Sequence, residues 1–282
     1  RQRQMCIRDS LVSTLNNPFF VDLRDGAQAA AKDLGVDLMV SDAQNDSSTQ
    51  QNQAQNAQSQ GAKAVIINPV DSDAASPAVA PLLSSNLPVI SVDRSVTGED
   101  VTSHIASDNV AGGAQAADEL AKAVGEKGKV IILQGTPGAA STRDRGDGFK
   151  KEIKKYSGIE VVAEQTANFD RAEALDVTTN LMQSNPDVVG IYAENDEMAL
   201  GAIQSLGSKA GVDVKIFGFD GTEDGLKAVS NGTMVGTIAQ QPKELGKKAV
   251  EAAVKAIKGE SVEKTESIEV KTVTKGNVAD FQ

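Results

Sequence analysis

Ser13-Thr14-Leu15-Asn16-Asn17-Pro18-Phe19-Phe20 sets two adjacent phenylalanines where an extended run hands over to a helix. Asn17 suits the N-cap, because its side-chain oxygen can accept from an orphan amide of the first turn. Pro18 suits the first helical position, where a missing N–H costs nothing. Neighbouring residues of a helix do not share a face, so at least one of the two rings lies outside the ordinary core stripe. The chain has seven Phe, two Tyr and no Trp, so two rings at one strand exit form a conspicuous apolar platform. A hydrophobic staple is the plainer explanation of the same pair.

Outward from this stretch, β-branched runs alternate with Ala-rich helical stretches. Strands are predicted at residues 11–14, 37–40, 64–67, 89–92, 103–106, 130–133, 160–163, 188–192, 215–219 and 234–238. Helices are predicted at 21–34, 49–60, 74–84, 110–124, 146–156, 172–185, 197–206, 223–229 and 242–257. That rhythm marks βαβ units around parallel sheets, and so many strands fit two sheets better than one. The polar stretch 46–60 reads as an outer, weakly packed helix capped by Asp46, Ser47 or Ser48, with Ala54 and Ala57 inward and Gly61 at its end. Polar residues recur after the apolar runs: Asn68-Pro69, Asp93-Arg94, Gln134-Gly135, Asn195-Asp196, Asp220-Gly221 and Gln240-Gln241. Parallel sheets bind ligands at these carboxyl ends.

The 282 residues carry 28 Lys plus Arg against 39 Asp plus Glu, a formal charge of −11, which argues against a nucleic-acid or anionic-membrane surface. Cys6 is the only cysteine, which excludes an internal disulfide and a Cys-based metal cluster. The sequence contains no apolar run long enough to span a bilayer. Residues 1–10, RQRQMCIRDS, have neither an apolar signal region nor strand periodicity and read as a non-native or disordered leader.

Catalytic patterns fail in turn. His104 is the only histidine and has no G-x-S-x-G elbow to serve, so it reads as a structural residue near a strand or hinge. Neither H-E-x-x-H nor a dinucleotide or P-loop glycine pattern occurs, and Gly135–Ser141 reads as a turn into a helix. No catalytic residue, metal site or cofactor is expected. The residues gathered at strand exits instead form a carbohydrate-binding chemistry. Carboxylates and amides accept from hydroxyls, Arg and Asn donate to them, and aromatic faces cover a sugar's C–H face.

In Ser13–Phe20, Asp144–Phe149, Asn195–Gly201, Gly218–Thr222 and Thr237–Pro242, among other stretches, the chain resembles the sugar-binding periplasmic binding proteins of ABC transporters. The likeness runs from about Leu11 to near the C-terminus. It implies a two-lobed α/β type I architecture, each lobe a Rossmann-like parallel-sheet domain. The lobes would be residues 11–107 with 241–269, and 108–240 with 270–282, joined by crossings near Ser107, Gln240 and Glu269. Carried over residue by residue, the resemblance makes Asn17, Phe19, Phe20, Asp93 and Arg94 the ligand contacts of the first lobe. Arg145, Phe169, Asn195, Asp220 and Gln240 are those of the second. It further implies a monomer in the periplasm, or lipid-anchored outside the cytoplasm, that binds D-ribose or a similar monosaccharide by hinged closure. A membrane permease, and in some relatives a chemoreceptor, would be its partner. The rivals are a binder of allose or another small carbohydrate, the effector domain of a sugar-responsive repressor, and a sugar-modifying enzyme. The repressor reading wants a helix-turn-helix and a basic face, which the sequence lacks.

Overall fold

The computed structural model describes residues 5–282, with side chains from Ser10 onward. In chain order its first elements are β1 (Met5–Val12), α1 (Pro18–Leu34), β2 (Val36–Asp42), α2 (Ser47–Ser59), β3 (Val65–Ile67), α3 (Ser76–Ser84), β4 (Val89–Val92) and β5 (Ser103–Ser107). Next come α4 (Asn109–Ala123), β6 (Lys127–Gln134), α5 (Ala140–Ile153), β7 (Gly158–Thr166), α6 (Arg171–Ser184), β8 (Val188–Ala193), α7 (Asp196–Leu206) and β9 (Lys215–Phe217). The last are α8 (Glu223–Asn231), β10 (Gly236–Ala239), α9 (Pro242–Ile257), β11 (Thr265–Ile268) and β12 (Lys271–Thr274). The chain divides into two compact units, one reaching to Ser107 and including Gln241–Glu269, the other Asp108–Gln240 with Val270–Gln282.

The first unit holds a six-stranded sheet ordered β11-β5-β4-β3-β1-β2, parallel throughout. The second holds six strands ordered β12-β10-β9-β8-β6-β7, with only β12 antiparallel. The inner strands of each sheet are buried on both faces, and the period of two sorts their side chains. Ile66 joins the cluster under α1 and α9, while Val65 and Ile67 join that of α2 and α3. In the second unit Ile131 and Leu133 face one cluster, Val130 and Ile132 the other.

Four expectations from the sequence are corrected. Residues 5–10, read as leader, form the start of β1; residues 1–4 of that reading lie outside the described residues. The ladder to β2 runs Met5↔Val36, Cys6↔Asp37, Ile7↔Leu38, then shifts before Ser10↔Val40, and this irregularity breaks the alternation that marks a strand. The short strands β11 and β12 were not anticipated, because at sheet edges neither needs an apolar run. Helix α5 begins at Ala140, ahead of the expected 146, where the Thr142 hydroxyl donates to the Thr136 carbonyl at 2.8 Å. And α2 is not weakly packed, since Gln50 on it is buried. Asp46 is the cap, accepting from the Thr49 amide at 2.7 Å.

Candidate functional site

In the first unit the site residues cluster at the strand exits of β1 and β4. Asn17 caps α1 as expected, its Oδ1 accepting from the Phe19 amide at 2.9 Å. The two rings meet edge to face, centroids 5.2 Å apart and planes at 89°. Phe20 is 4% exposed and belongs to the core beneath α1, whereas Phe19 is half-buried and packs against the edge of the same cluster with part of its ring left open. Arg94 Cζ lies 5.3 Å from the centre of the Phe20 ring, and its Nη1 donates to the carbonyls of Pro69 and Val70, each at 3.1 Å. Asp93, before it, stands in the left-handed region at φ 67° and donates its amide to the Ile105 carbonyl at 2.8 Å.

The segment that carries the Pro69 and Val70 carbonyls is itself held. Gln50 Nε2 donates to the Asn68 carbonyl at 2.9 Å, and its Oε1 accepts from the Val70 amide at 3.0 Å. Asn68 Oδ1 accepts from the Ser13 hydroxyl at 2.7 Å and from its amide, while Nδ2 donates to the Val92 carbonyl at 3.2 Å. A buried amide network of this kind fixes geometry because each lost partner would leave a desolvated group unpaired. It joins the exits of β1, β3 and β4 and so places Arg94.

In the second unit Arg145 is the centre. Its Cζ sits 3.9 Å from the Phe219 ring centre and 5.9 Å from that of Phe169. Nε donates to Asn109 Oδ1 at 2.9 Å and Nη1 to the Glu194 carbonyl at 2.8 Å, with Asp220 Oδ1 3.6 Å from Nη1. Gln240 Nε2 donates to the same Asp220 oxygen at 2.7 Å. Asn195 caps α7 through Oδ1, accepting from the Met198 amide at 2.9 Å, and its Nδ2 donates to the Phe169 carbonyl at 3.3 Å. Phe169 has φ 57°, and its ring lies so close over Gly135 that a Cβ there would overlap it. Arg145, Phe169, Asn195, Asp220 and Gln240 thus come from the connections that follow β6, β7, β8, β9 and β10. Arg143, two residues before Arg145, is exposed and lies 3.6 Å from Asp144.

The sequence pattern described as "Periplasmic binding protein domain" matches residues 10–261. The chain belongs to the periplasmic binding protein family. Over 265 residues it is 48% identical to the Ribose import binding protein RbsB of Escherichia coli (strain K12), covering 94% of this chain and 89% of that one. Against the Ribose import binding protein RbsB of Bacillus subtilis (strain 168) the identity is 44% over 263 residues, 93% of this chain and 85% of the relative. The crystal structure of an ABC transporter periplasmic solute binding protein from Actinobacillus succinogenes 130z with bound D-allose superposes with a TM-score of 0.87 at 32% identity, covering 98% and 99% of the two chains.

As a periplasmic binding protein the chain has a two-lobed α/β fold and acts outside the cytoplasm as a non-catalytic solute binder. The lone histidine is held within the first sheet. His104 Nδ1 lies 2.7 Å from the Ser91 hydroxyl between β4 and β5, and burial pushes its pKa down. Two acids around the second-unit cluster, Glu194 and Asp196, were not among the expected ligand contacts, although they flank Asn195 and Asp196 stands in the strand-exit pair Asn195-Asp196. Burial pushes Glu194 up to about 7, against the Gly135 amide, which donates to Oε1 at 2.9 Å, and the charges of Arg145 and Lys150. Its Oε2 is buried without a hydrogen-bond partner.

A raised acid pKa means that the folded chain holds the proton more tightly than the unfolded one. Glu194 therefore favours folding at acid pH, and this contribution is lost as pH rises from its ordinary 4.5 to about 7. Glu194→Gln is expected to stabilise the protein at pH 8 relative to pH 5 by about 2 kcal/mol, most of what that displacement carries. Urea midpoints at the two pH values measure it. Equal pH slopes in parent and variant would remove Glu194 as the source.

Proposed function

We propose that this periplasmic binding protein captures D-ribose by hinged closure of its lobes and presents it to the membrane permease of an ABC transporter. The observation that carries the reading is the setting of Arg145. A buried guanidinium is flanked by the rings of Phe219 and Phe169 and shares Asp220 with Gln240. Such a group suits sugar hydroxyls, which donate to a carboxylate and accept from an arginine or amide while a ring covers the C–H face. The first lobe offers the matching kinds of group in Asn17, Phe19, Asp93 and Arg94. Ribose is favoured over other sugars by the 48% identity to a ribose import binding protein over 94% of the chain.

Binding energy would come from both lobes, so the closed state is selected by its higher affinity for the sugar. An analogue lacking one hydroxyl would leave a desolvated donor or acceptor unpaired. Calorimetry with purified protein against ribose, allose, xylose, galactose and glucose tests the assignment. Ribose is expected to bind tightest and to be recovered unchanged. Tight binding of another sugar without ribose removes the specificity and leaves the class, whereas turnover of the bound sugar would overturn the binding-protein reading.

A further inference from the structure

Asp220 carries the carboxylate of the proposed sugar site on a backbone at φ 127°, a conformation that side chains other than glycine rarely adopt. Strain of this kind persists where the surroundings over-determine it. Here they do. The Asp220 amide donates to the Ile238 carbonyl at 2.7 Å, and its carbonyl accepts from the Gln240 amide at 3.1 Å. The next two amides lead to one side chain. Thr222 N–H donates to Asp196 Oδ2 at 2.8 Å, joined by the Thr222 hydroxyl at 3.1 Å. Gly221 N–H donates to the Thr237 hydroxyl at 3.3 Å, which in turn donates to Asp196 Oδ1 at 2.7 Å. The Asp196 amide returns a bond to the Phe219 carbonyl at 2.7 Å, on the other side of Asp220.

We infer that Asp196 is the positioning residue of the site: its carboxylate, tied to Thr222 and Thr237, holds the strained Asp220 turn in the geometry that meets the sugar. The inference rests on the sugar-binding reading for its consequence, though not for its geometry. Asp196 has no exposed surface, and a Cβ on Gly218 or Gly225 would run into its carboxylate. Burial, and next the charge of Asp220, push its pKa up to about 7 against these hydrogen bonds. A buried acid beside a second acid is an expensive way to join three strand exits, and a neutral side chain would serve packing alone. What the carboxylate adds, once ionised above about pH 7, is acceptance at both oxygens at once. An asparagine there must turn an NH2 toward either the Thr222 amide or the Thr237 hydroxyl.

The test uses the whole chain, with Asp196→Asn, Thr237→Val and Thr237→Ser. Amide hydrogen exchange followed by NMR in ligand-free protein reads the turn itself, and calorimetry with D-ribose reads its consequence. Asp196→Asn and Thr237→Val are expected to speed exchange at Gly221 and Thr222 by about tenfold or more and to weaken ribose by about tenfold, as a lost buried partner does. Exchange elsewhere in the sheet should stay unchanged. Thr237→Ser keeps the hydroxyl and is expected to restore both readouts. Unchanged exchange at these two amides overturns the positioning role, and so does unchanged ribose affinity beside tight binding by the parent. If the parent binds no ribose, the sugar reading falls while faster local exchange with serine rescue still supports the role of Asp196.

Discussion

Arg145→Ala is expected to weaken ribose binding by at least ~2 kcal/mol, roughly thirtyfold, and to destabilise the second unit. The side chain is buried and held from several sides: Asn109 at Nε, the Glu194 carbonyl and Asp220 at Nη1, and Phe219 against its plane. Truncation removes a hydroxyl donor and also leaves the half-buried carboxylate of Asp220 short of a countercharge. Removing one partner of a desolvated pair costs more than the pair itself contributes, and closure over the sugar would complete that desolvation. Arg145→Lys separates the two effects. A lysine restores the charge without the planar fork, so it cannot reach Asn109 and the Glu194 carbonyl together or lie flat on Phe219. Calorimetry and urea midpoints for both variants decide the matter. An unchanged dissociation constant in Arg145→Ala would remove this residue from the site.

Local signals were the legible ones. Asn17-Pro18 announces the start of α1 because a cap and an N1 proline act within one turn, and the divergence of Phe19 from Phe20 follows from helix geometry alone. The βα rhythm was legible for the same reason: buried parallel strands such as β3, β4 and β8 need continuous apolar runs. Edge strands β11 and β12 need none, and β1 carries an irregular register, so neither kind shows a period. The importance of Gln50 was hidden because a glutamine in a polar run looks solvated. Its burial is set by residues 68–70, which are distant in sequence. The same holds for Glu194 and Asp196, since what perturbs an acid is the environment assembled around it. Arg143 and Arg145 differ by two residues and look alike as sequence. Only the helix that carries them makes one exposed and the other central.

The helix under the phenylalanine pair depends on a contact with no side chain in it. Helices α1 and α9 meet at Gly26 and Gly246, where a Cβ on Gly26 would overlap the Lys243 carbonyl and one on Gly246 the Leu23 carbonyl. Gly246→Ala therefore sets two effects against each other. Helix propensity favours alanine by about 1 kcal/mol. Overpacking of a backbone contact costs about 1–3 kcal/mol or more, and here the obstacle is a carbonyl of a second helix that no rotamer change can clear. The loss is expected to win by about 2 kcal/mol, lowering the urea midpoint. A midpoint equal to or above the parent's would mean that the helices can slide apart cheaply. The consequence would reach the site, because α1 begins at Pro18 with Asn17, Phe19 and Phe20 on its first turn, and α9 begins at Pro242 just past the crossing that follows Gln240. An α1 pushed outward from Leu23 carries the Phe20 ring off Arg94, so the variant should weaken ribose as well as lower stability. That pairing of losses distinguishes a displaced platform from a unit that is merely less stable.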